Sequence, residues 1–241
     1  MRVILLAAGV GKRFGAMTKR VPKCLIPLTK DGQNLLSRYL ASFKALGLKD
    51  IDIVVGHERI KIKKECARKG KGLRVRFIVN REYRKGSLLS LYKASKAMNQ
   101  SCLIMDADVY FPVSALRKLL KSKHSACFLA DRSSKSTGEE MMIMARNGRP
   151  FALSKKIDLK SRILGESIGF FRTNKTGAIR LRKILNEMVH EGQTGLEYEE
   201  SYSRLMKKMK VGVESIRKVF WTEMDFKKDL EKIKRHLKNN Q

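Results

Sequence analysis

The sequence predicts one α/β domain with a mixed, mostly parallel sheet whose second half turns antiparallel. Three observations carry this expectation. Apolar runs of strand length alternate with segments of helical spacing through the first 130 residues, which implies parallel strands covered on both faces. From residue 140 the pattern changes, and two strand-like runs flank Asn147-Gly148, a tight-hairpin dipeptide. Of the 241 residues, 43% are hydrophobic, enough to bury one sizeable core.

The elements follow in order. Residues 2–8 form a continuous apolar run, as in a buried parallel strand. Helical spacing over 34–46 ends at Gly47, a residue suited to the left-handed position after a helix. Residues 51–55 read as a second buried strand, and 58–69 as a charged helix. Residues 73–79 alternate Arg74 and Arg76 with Val75 and Phe77 and read as a third strand. A helix over 88–98 precedes a fourth strand over 102–105, which runs into Asp106-Ala107-Asp108. Then come a helix over 113–121 and a strand over 126–130. The hairpin takes 140–145 and 149–156, with a further strand over 167–172. Helices over 176–190 and 198–208, short strands over 211–215 and 219–221, and a helix over 225–237 complete the chain. Linkers, repeats and low-complexity segments do not show, so one domain over 1–241 is expected.

Lys and Arg number 53 against 23 Asp and Glu, a formal net charge of +30. Such a surplus suits a polyanion: nucleic acid, an anionic membrane surface or phosphorylated substrates. It equally suits a solvated lysine-rich surface. Basic residues concentrate in 59–76 and 227–238. In the second run Leu230, Ile233 and Leu237 make an apolar stripe beside Lys227, Lys228, Lys232, Lys234, Arg235 and Lys238, a packed helix with a wet basic face. Few aromatics interleave, so stacking on single-stranded bases is not signalled. Cys24, Cys66, Cys102 and Cys127 lie far apart without paired spacing, against a disulfide framework or zinc site and in keeping with a reducing cytoplasm. No stretch approaches the ~20 apolar residues of a bilayer span. The apolar start is too short for a signal peptide and reads as the first strand.

The most informative segment follows that strand: Leu6-Ala7-Ala8-Gly9-Val10-Gly11-Lys12-Arg13-Phe14-Gly15. A glycine-rich turn there lets backbone N–H groups approach phosphates. The dinucleotide fingerprint fails at Phe14, and the P-loop lacks its Gly-Lys-Ser/Thr ending. A Gly-x-Gly-x-Arg turn with Pro-Lys about ten residues on fits: Gly9, Gly11 and Arg13 precede Pro22-Lys23-Cys24-Leu25-Ile26-Pro27. In that arrangement loop and cations grip a triphosphate and Lys23 sits near the bond being broken. Asp106 and Asp108, at the carboxyl end of a strand, lie where open α/β sheets bind ligands. Their i, i+2 spacing lets both face the cleft, and hard magnesium suits carboxylates plus substrate phosphates.

These blocks resemble the sugar-phosphate nucleotidyltransferase superfamily, in Leu-Ala-Ala-Gly-x-Gly-x-Arg and Pro-Lys-x-Leu-x-Pro. The resemblance runs the whole length, through 83–92, Met105-Asp106-Ala107-Asp108-Val109, 165–170, Tyr198-Glu199-Glu200 and Trp221-Thr222-Glu223-Met224-Asp225. The branch it looks like is that of phosphocholine cytidylyltransferase, whose relatives activate other phosphate or phosphonate alcohols, such as aminoethylphosphonate and inositol phosphate. The resemblance implies a Rossmann-like three-layer nucleotidyltransferase (GT-A-like) domain, with nucleotide bound by 1–130 and acceptor by 131–241. It implies Lys23, Arg13 and Asp108 as catalytic residues. Leu6, Ala7, Ala8, Gly9, Gly11, Lys12, Arg13, Lys23, Ser87, Ser90 and Asp106 would meet the nucleotide. Magnesium would sit on Asp108 and Asp225, although Asp225 also suits a helix N-cap. Ser87 is likewise a reasonable N-cap. Many relatives carry paired Asn near Ser87, where this chain has Gly86-Ser87, which leaves CTP over UTP open.

For a quaternary ammonium acceptor, aromatic faces plus a carboxylate are wanted. Tyr110, Tyr198, Tyr202 and Trp221 are candidate faces, with Asp106, Glu166 and Glu199 as anions and Lys155 for the acceptor phosphate. A primary amine would use the carboxylates more. The implied reaction is in-line attack of an acceptor phosphate or phosphonate oxygen on the α-phosphorus of CTP, without a covalent enzyme intermediate. The alternatives are a hexose-1-phosphate nucleotidyltransferase and a non-catalytic polyanion binder of the same fold. Nucleic acid is the less favoured partner, though the charge keeps it in view, and a homodimer is left open.

Overall fold

The computed structural model describes residues 1–240, so the expected domain end at Gln241 lies outside the described residues. The first half is a repeated strand–helix unit. β1 (Arg2–Ala7) leads through three short 3-10 turns to α1 (Leu35–Ala45), whose N-cap Asn34 accepts from Ser37 N at 2.8 Å. β2 (Asp50–Val55), α2 (Arg59–Lys69), β3 (Arg74–Val79) and α3 (Ser87–Lys93) follow. Next come β4 (Cys102–Asp106), the two-residue β5 (Val109–Tyr110), α4 (Val113–Leu120) and β6 (Ala126–Asp131). The second half holds the hairpin β7 (Met142–Arg146) and β8 (Arg149–Ser154), then β9 (Arg162–Thr173), α5 (Lys175–His190) and α6 (Glu199–Lys208). β10 (Gly212–Ile216), β11 (Thr222–Glu223) and α7 (Lys227–Lys238) close it.

The main sheet runs β10-β6-β9-β4-β1-β2-β3, with the hairpin joined to β9 through β7. β1 pairs in parallel with β2 and β4, and β10 with β6, while β9 runs antiparallel between β4 and β6. Alternation along β1 explains its unbroken apolar run. Val3, Leu5 and Ala7 face a core shared with α1, α2, α4 and α7, whereas Ile4 and Ala8 face α3, α5 and α6. The result is three layers around a sheet buried on both sides. Strand order reverses between β1 and β4, because the chain first builds outward to β3 and then returns. The carboxyl ends of those two strands are therefore a topological switch point, the place where open α/β sheets hold ligands.

Several boundaries differ from the sequence expectation. The expected strand over 219–221 is irregular, and pairing with β5 instead selects Thr222–Glu223 (Glu223 opposite Val109). β9 begins five residues before the expected 167, because its first half leaves the main sheet to pair with β7. The helix expected over 88–98 stops at Lys93 and continues as a 3-10 turn over Ser95–Ala97. Ser87 is the first helical residue and makes no cap bond: its hydroxyl meets Glu197 and accepts from Tyr198 N at 2.8 Å. Asp225 precedes the N-cap Phe226, and Asp229 takes the capping role by accepting from Phe226 N at 2.8 Å.

Candidate active site

At the switch point the loop after β1 and the turn after β4 lie side by side. Leu6 pairs with Asp106, and Ala107 N donates to Leu6 O at 3.1 Å. In the glycine-rich loop Gly11 takes φ +69°, and a Cβ there would stand 2.8 Å from Lys23 Cγ. The missing side chain lets the Lys23 stem pack on the loop. Thr18 Oγ1 donates to Gly11 O (2.8 Å) and Gly15 O (2.9 Å), which fixes the following turn.

The Asp106-Ala107-Asp108 turn is held from below. The buried Tyr39 hydroxyl of α1 reaches the carbonyls of Asp106 (2.6 Å) and Val109 (3.0 Å). Tyr198 OH donates to Asp106 Oδ2 at 2.6 Å. Gly169, at φ +76°, leaves room for that carboxylate, since a Cβ would lie 2.5 Å from Oδ2. Burial, then the charges of Asp108 and Glu199, raise the Asp106 pKa well above the usual carboxylate range.

β5 and β11 bring the third component. Their short antiparallel ladder, continued by Met224 N donating to Asp108 O at 2.8 Å, sets Glu223 and Asp225 beside Asp108. The three carboxylates have oxygens within 4.8 Å of one another. Lys23 Nζ bridges Asp108 Oδ2 and Asp225 Oδ1, both at 2.6 Å, and Arg13 pairs with the other oxygen of Asp225. Burial lowers the Lys23 pKa, but the flanking charges of Asp108 and Asp225 more than offset it and hold the ammonium above its ordinary value. Glu223 keeps a solvent-exposed side, yet desolvation in the cleft, then the charges of Asp108 and Asp225, push it up to about 8. A compact set of hard oxygen donors fits a divalent cation such as magnesium.

These residues line one cleft of about 530 Å³. Leu6, Ala8, Gly9, Gly11, Lys12, Arg13, Lys23, Ser87, Ser90, Asp106, Asp108 and Asp225 border it, as do Lys155, Glu166, Tyr198, Glu199 and Trp221. The structure leaves out three of the expected residues. Ala7 packs into the core beneath the loop, because the β1 alternation turns it away from the cleft. Tyr110 is buried under Arg38, whose guanidinium lies 4.6 Å from its ring centre, and packs on Phe220 and His236. Tyr202 is also core, stacked among Phe128, Phe171 and Tyr198. Conversely, Glu223 joins the acidic cluster although the sequence reading gave it no role. Its i, i+2 spacing to Asp225 on an extended segment was the available signal. Glu139, which reaches Arg13 at 3.5 Å and Lys155 at 3.3 Å, had no local signal.

The side of the cleft formed by Tyr198 and Glu199 carries an unbalanced carboxylate. Glu199 buries Oε2 without a hydrogen-bond donor among the described residues. Burial, then the charge of Glu197, raise its pKa to about 7, against the backbone N–H, Tyr198 and Lys155. Glu166 is raised too, by burial, with Ser134 Oγ hydrogen-bonded to it.

Known proteins resemble this chain in sequence and in fold. The chain is 27% identical over 133 residues to a CMP-5'-(3-aminopropyl)phosphonate synthase of Streptomyces rubellomurinus, covering 55% of this chain and 21% of that one. It is 29% identical over 154 residues to a choline-phosphate cytidylyltransferase of Haemophilus influenzae, covering 62% and 60%. It thus spans about a fifth and about three fifths of the length of these curated relatives. The solved structure of the CTP:phosphocholine cytidylyltransferase from Streptococcus pneumoniae superposes with a TM-score of 0.77 at 19% identity, covering 98% of both chains, which establishes the shared fold. The model of the MobA-like NTP transferase domain matches residues 3–163, and the chain belongs to that family.

Proposed function

We propose that this chain is a magnesium-dependent cytidylyltransferase that moves CMP from CTP to a small phosphate- or phosphonate-bearing alcohol and releases pyrophosphate. The observation that carries this reading is the convergence of Lys23 and Arg13 with Asp108, Glu223 and Asp225 at the switch point. Two cations can hold phosphates and three carboxylates can hold a divalent cation, and phosphoryl chemistry is catalysed by such positioning and charge neutralisation. The cytidylyl chemistry in the names of both curated relatives supports CTP as donor.

In this mechanism residues 1–130 bind the nucleotide. Backbone N–H groups of the Gly9–Gly11 turn, with Lys12 and Arg13, hold the β- and γ-phosphates. Ser87 and Ser90 border the base and ribose. Lys23 exchanges its carboxylate partners for the α-phosphate and offsets charge that builds there in the transition state. Residues 131–241 supply most of the acceptor site, with Lys155 for the phosphate and Trp221, Tyr198, Glu166 and Glu199 around the alcohol. The Glu199 carboxylate, whose buried Oε2 has no hydrogen-bond donor among the described residues, suits an acceptor whose far end is cationic. An acceptor phosphate oxygen attacks the α-phosphorus in line, its new P–O bond forms, and the bond to the pyrophosphate oxygen breaks. Asp108 and Asp225, with Glu223, would hold magnesium, which when bound neutralises charge on the nucleotide phosphates.

The test is pyrophosphate release from CTP and magnesium with phosphocholine, phosphoethanolamine, 2-aminoethylphosphonate, inositol phosphate and glucose 1-phosphate. Release with a cationic acceptor is expected. Silence across the panel, with UTP and ATP as well, would overturn the reading.

A further inference from the structure

We infer that Asp131, which does not itself line the cleft, is a positioning residue that fixes the indole of Trp221 as a wall of the acceptor site. The inference rests on the proposed function for the identity of that site. Its geometry rests on contacts outside the phosphate and metal machinery.

Trp221 Nε1 donates to Asp131 Oδ2 at 2.7 Å. The other oxygen, Oδ1, accepts from Ser133 N (2.8 Å) and Ser133 Oγ (2.5 Å). One carboxylate thus ties the indole to the start of the 132–141 segment, whose Glu139, Glu140 and Met141 border the cleft. Asp131 is itself firmly placed. It ends β6 directly opposite Glu166 of β9, just past a register shift between Phe128 and Ala130. Bulges of this kind re-aim side chains next to sites. The β9 backbone presses on it so closely that a Cβ at Gly165 would lie 2.6 Å from Asp131 O.

The indole needs such a tether. Trp221 sits in the irregular stretch between β10 and β11, where no ladder holds the backbone. Part of its ring packs on the core and part borders the cleft. A half-buried indole N–H finds a partner, and an anionic acceptor makes a stronger bond than a neutral one. Because Asp131 and Glu166 face each other across β6 and β9, the tether sets Trp221 beside the carboxylate expected at the acceptor end.

Trp221 is the chain's sole tryptophan, so its fluorescence reports this contact directly. Asp131→Ala should raise acrylamide quenching about twofold or more. It should also raise the acceptor KM about tenfold, the scale of one lost hydrogen bond to a charged group, with the CTP KM and kcat within about twofold. Asp131→Asn keeps an acceptor oxygen and should recover most of both. Trp221→Phe should raise the acceptor KM similarly, and adding Asp131→Ala to it should change nothing further. The proposal is overturned by unchanged quenching in Asp131→Ala, by an unchanged acceptor KM, or by an equal rise in the CTP KM. If Asp131→Ala fails to fold, Trp221→Phe alone decides: it keeps an aromatic ring but loses the N–H bonded to Asp131, and an acceptor KM within about twofold of wild type overturns the proposal. Quenching needs no turnover, so a wild-type chain that transfers no nucleotide would refute the proposed function and leave the tether to be decided by quenching alone.

Discussion

Replacing Glu199 by Gln should stabilise the folded chain at neutral and alkaline pH, and the size of the gain follows from the burial of this carboxylate. Its folded pKa is raised from an ordinary 4.5 to about 7. A carboxyl with a raised pKa holds its proton in the folded state over a range where the unfolded chain has lost it. Native stability therefore falls as pH rises from about 4.5 to about 7, and the full penalty applies above that. At about 1.4 kcal/mol per pH unit the penalty reaches roughly 3 kcal/mol. Gln carries no charge and escapes it. The variant should match the wild type near pH 4.5 and exceed it by up to about 3 kcal/mol at pH 8. With a urea m-value of about 2–3 kcal/mol/M, the midpoint difference approaches about 1 M. Urea unfolding of both proteins at pH 5, 6, 7 and 8 measures it, because groups remote from residue 199 cancel in the difference. A gap that does not change with pH, or a wild type more stable at pH 8, would show that the buried Glu199 carboxylate carries no such penalty.

The other predictions concern the site itself. Lys23→Ala should lower kcat by about 10²-fold or more, as does loss of a transition-state charge stabiliser, and Asp108→Ala should do the same; steady-state turnover near wild type in either would contradict the assigned roles. Removing Lys23 also leaves Asp108, Glu223 and Asp225 facing one another, so the melting temperature of Lys23→Ala should rise more with added magnesium than that of the wild type. Gly169→Ala combines a left-handed φ of +76° with a Cβ 2.5 Å from Asp106 Oδ2. It should lose about 1–3 kcal/mol of stability by denaturant titration and weaken acceptor binding as Asp106 is displaced.

The parallel half of the fold was legible because its strands are buried on both faces. Each therefore reads as an apolar run, and each helix between them has a single apolar stripe. The glycine-rich turn and Pro22-Lys23 were legible for a related reason: they follow β1 in sequence, so local spacing brings them to the cleft. What escaped depends on partners distant in the chain. β11 could not be placed from its own residues, since pairing with the two-residue β5 decides that Glu223, and not Trp221, lies in the ladder. The early part of β9 was hidden because Arg162, Gly165 and Glu166 lack an apolar face, their pairing being with the hairpin. Tyr110 follows Asp108 closely in sequence, yet its ring is drawn away by Arg38, Phe220 and His236. Asp131 gave no signal at all, because its role depends on an indole 90 residues away. The net charge of +30 proved a poor guide to the site, whose cleft gathers carboxylates as well as cations.

On the proposed reaction an acceptor phosphate or phosphonate oxygen attacks the α-phosphorus of CTP, which joins two phosphorus atoms through one oxygen. Phosphorus NMR of the chain with CTP, magnesium and the best acceptor of the panel tests it most directly. A new pair of mutually coupled resonances, one from the CMP phosphorus and one from the acceptor, is expected to grow with one pyrophosphate per pair. CMP and pyrophosphate without a coupled pair would show hydrolysis, and CDP with orthophosphate would show cleavage at the γ-phosphorus. Either result would exclude transfer of CMP to the acceptor.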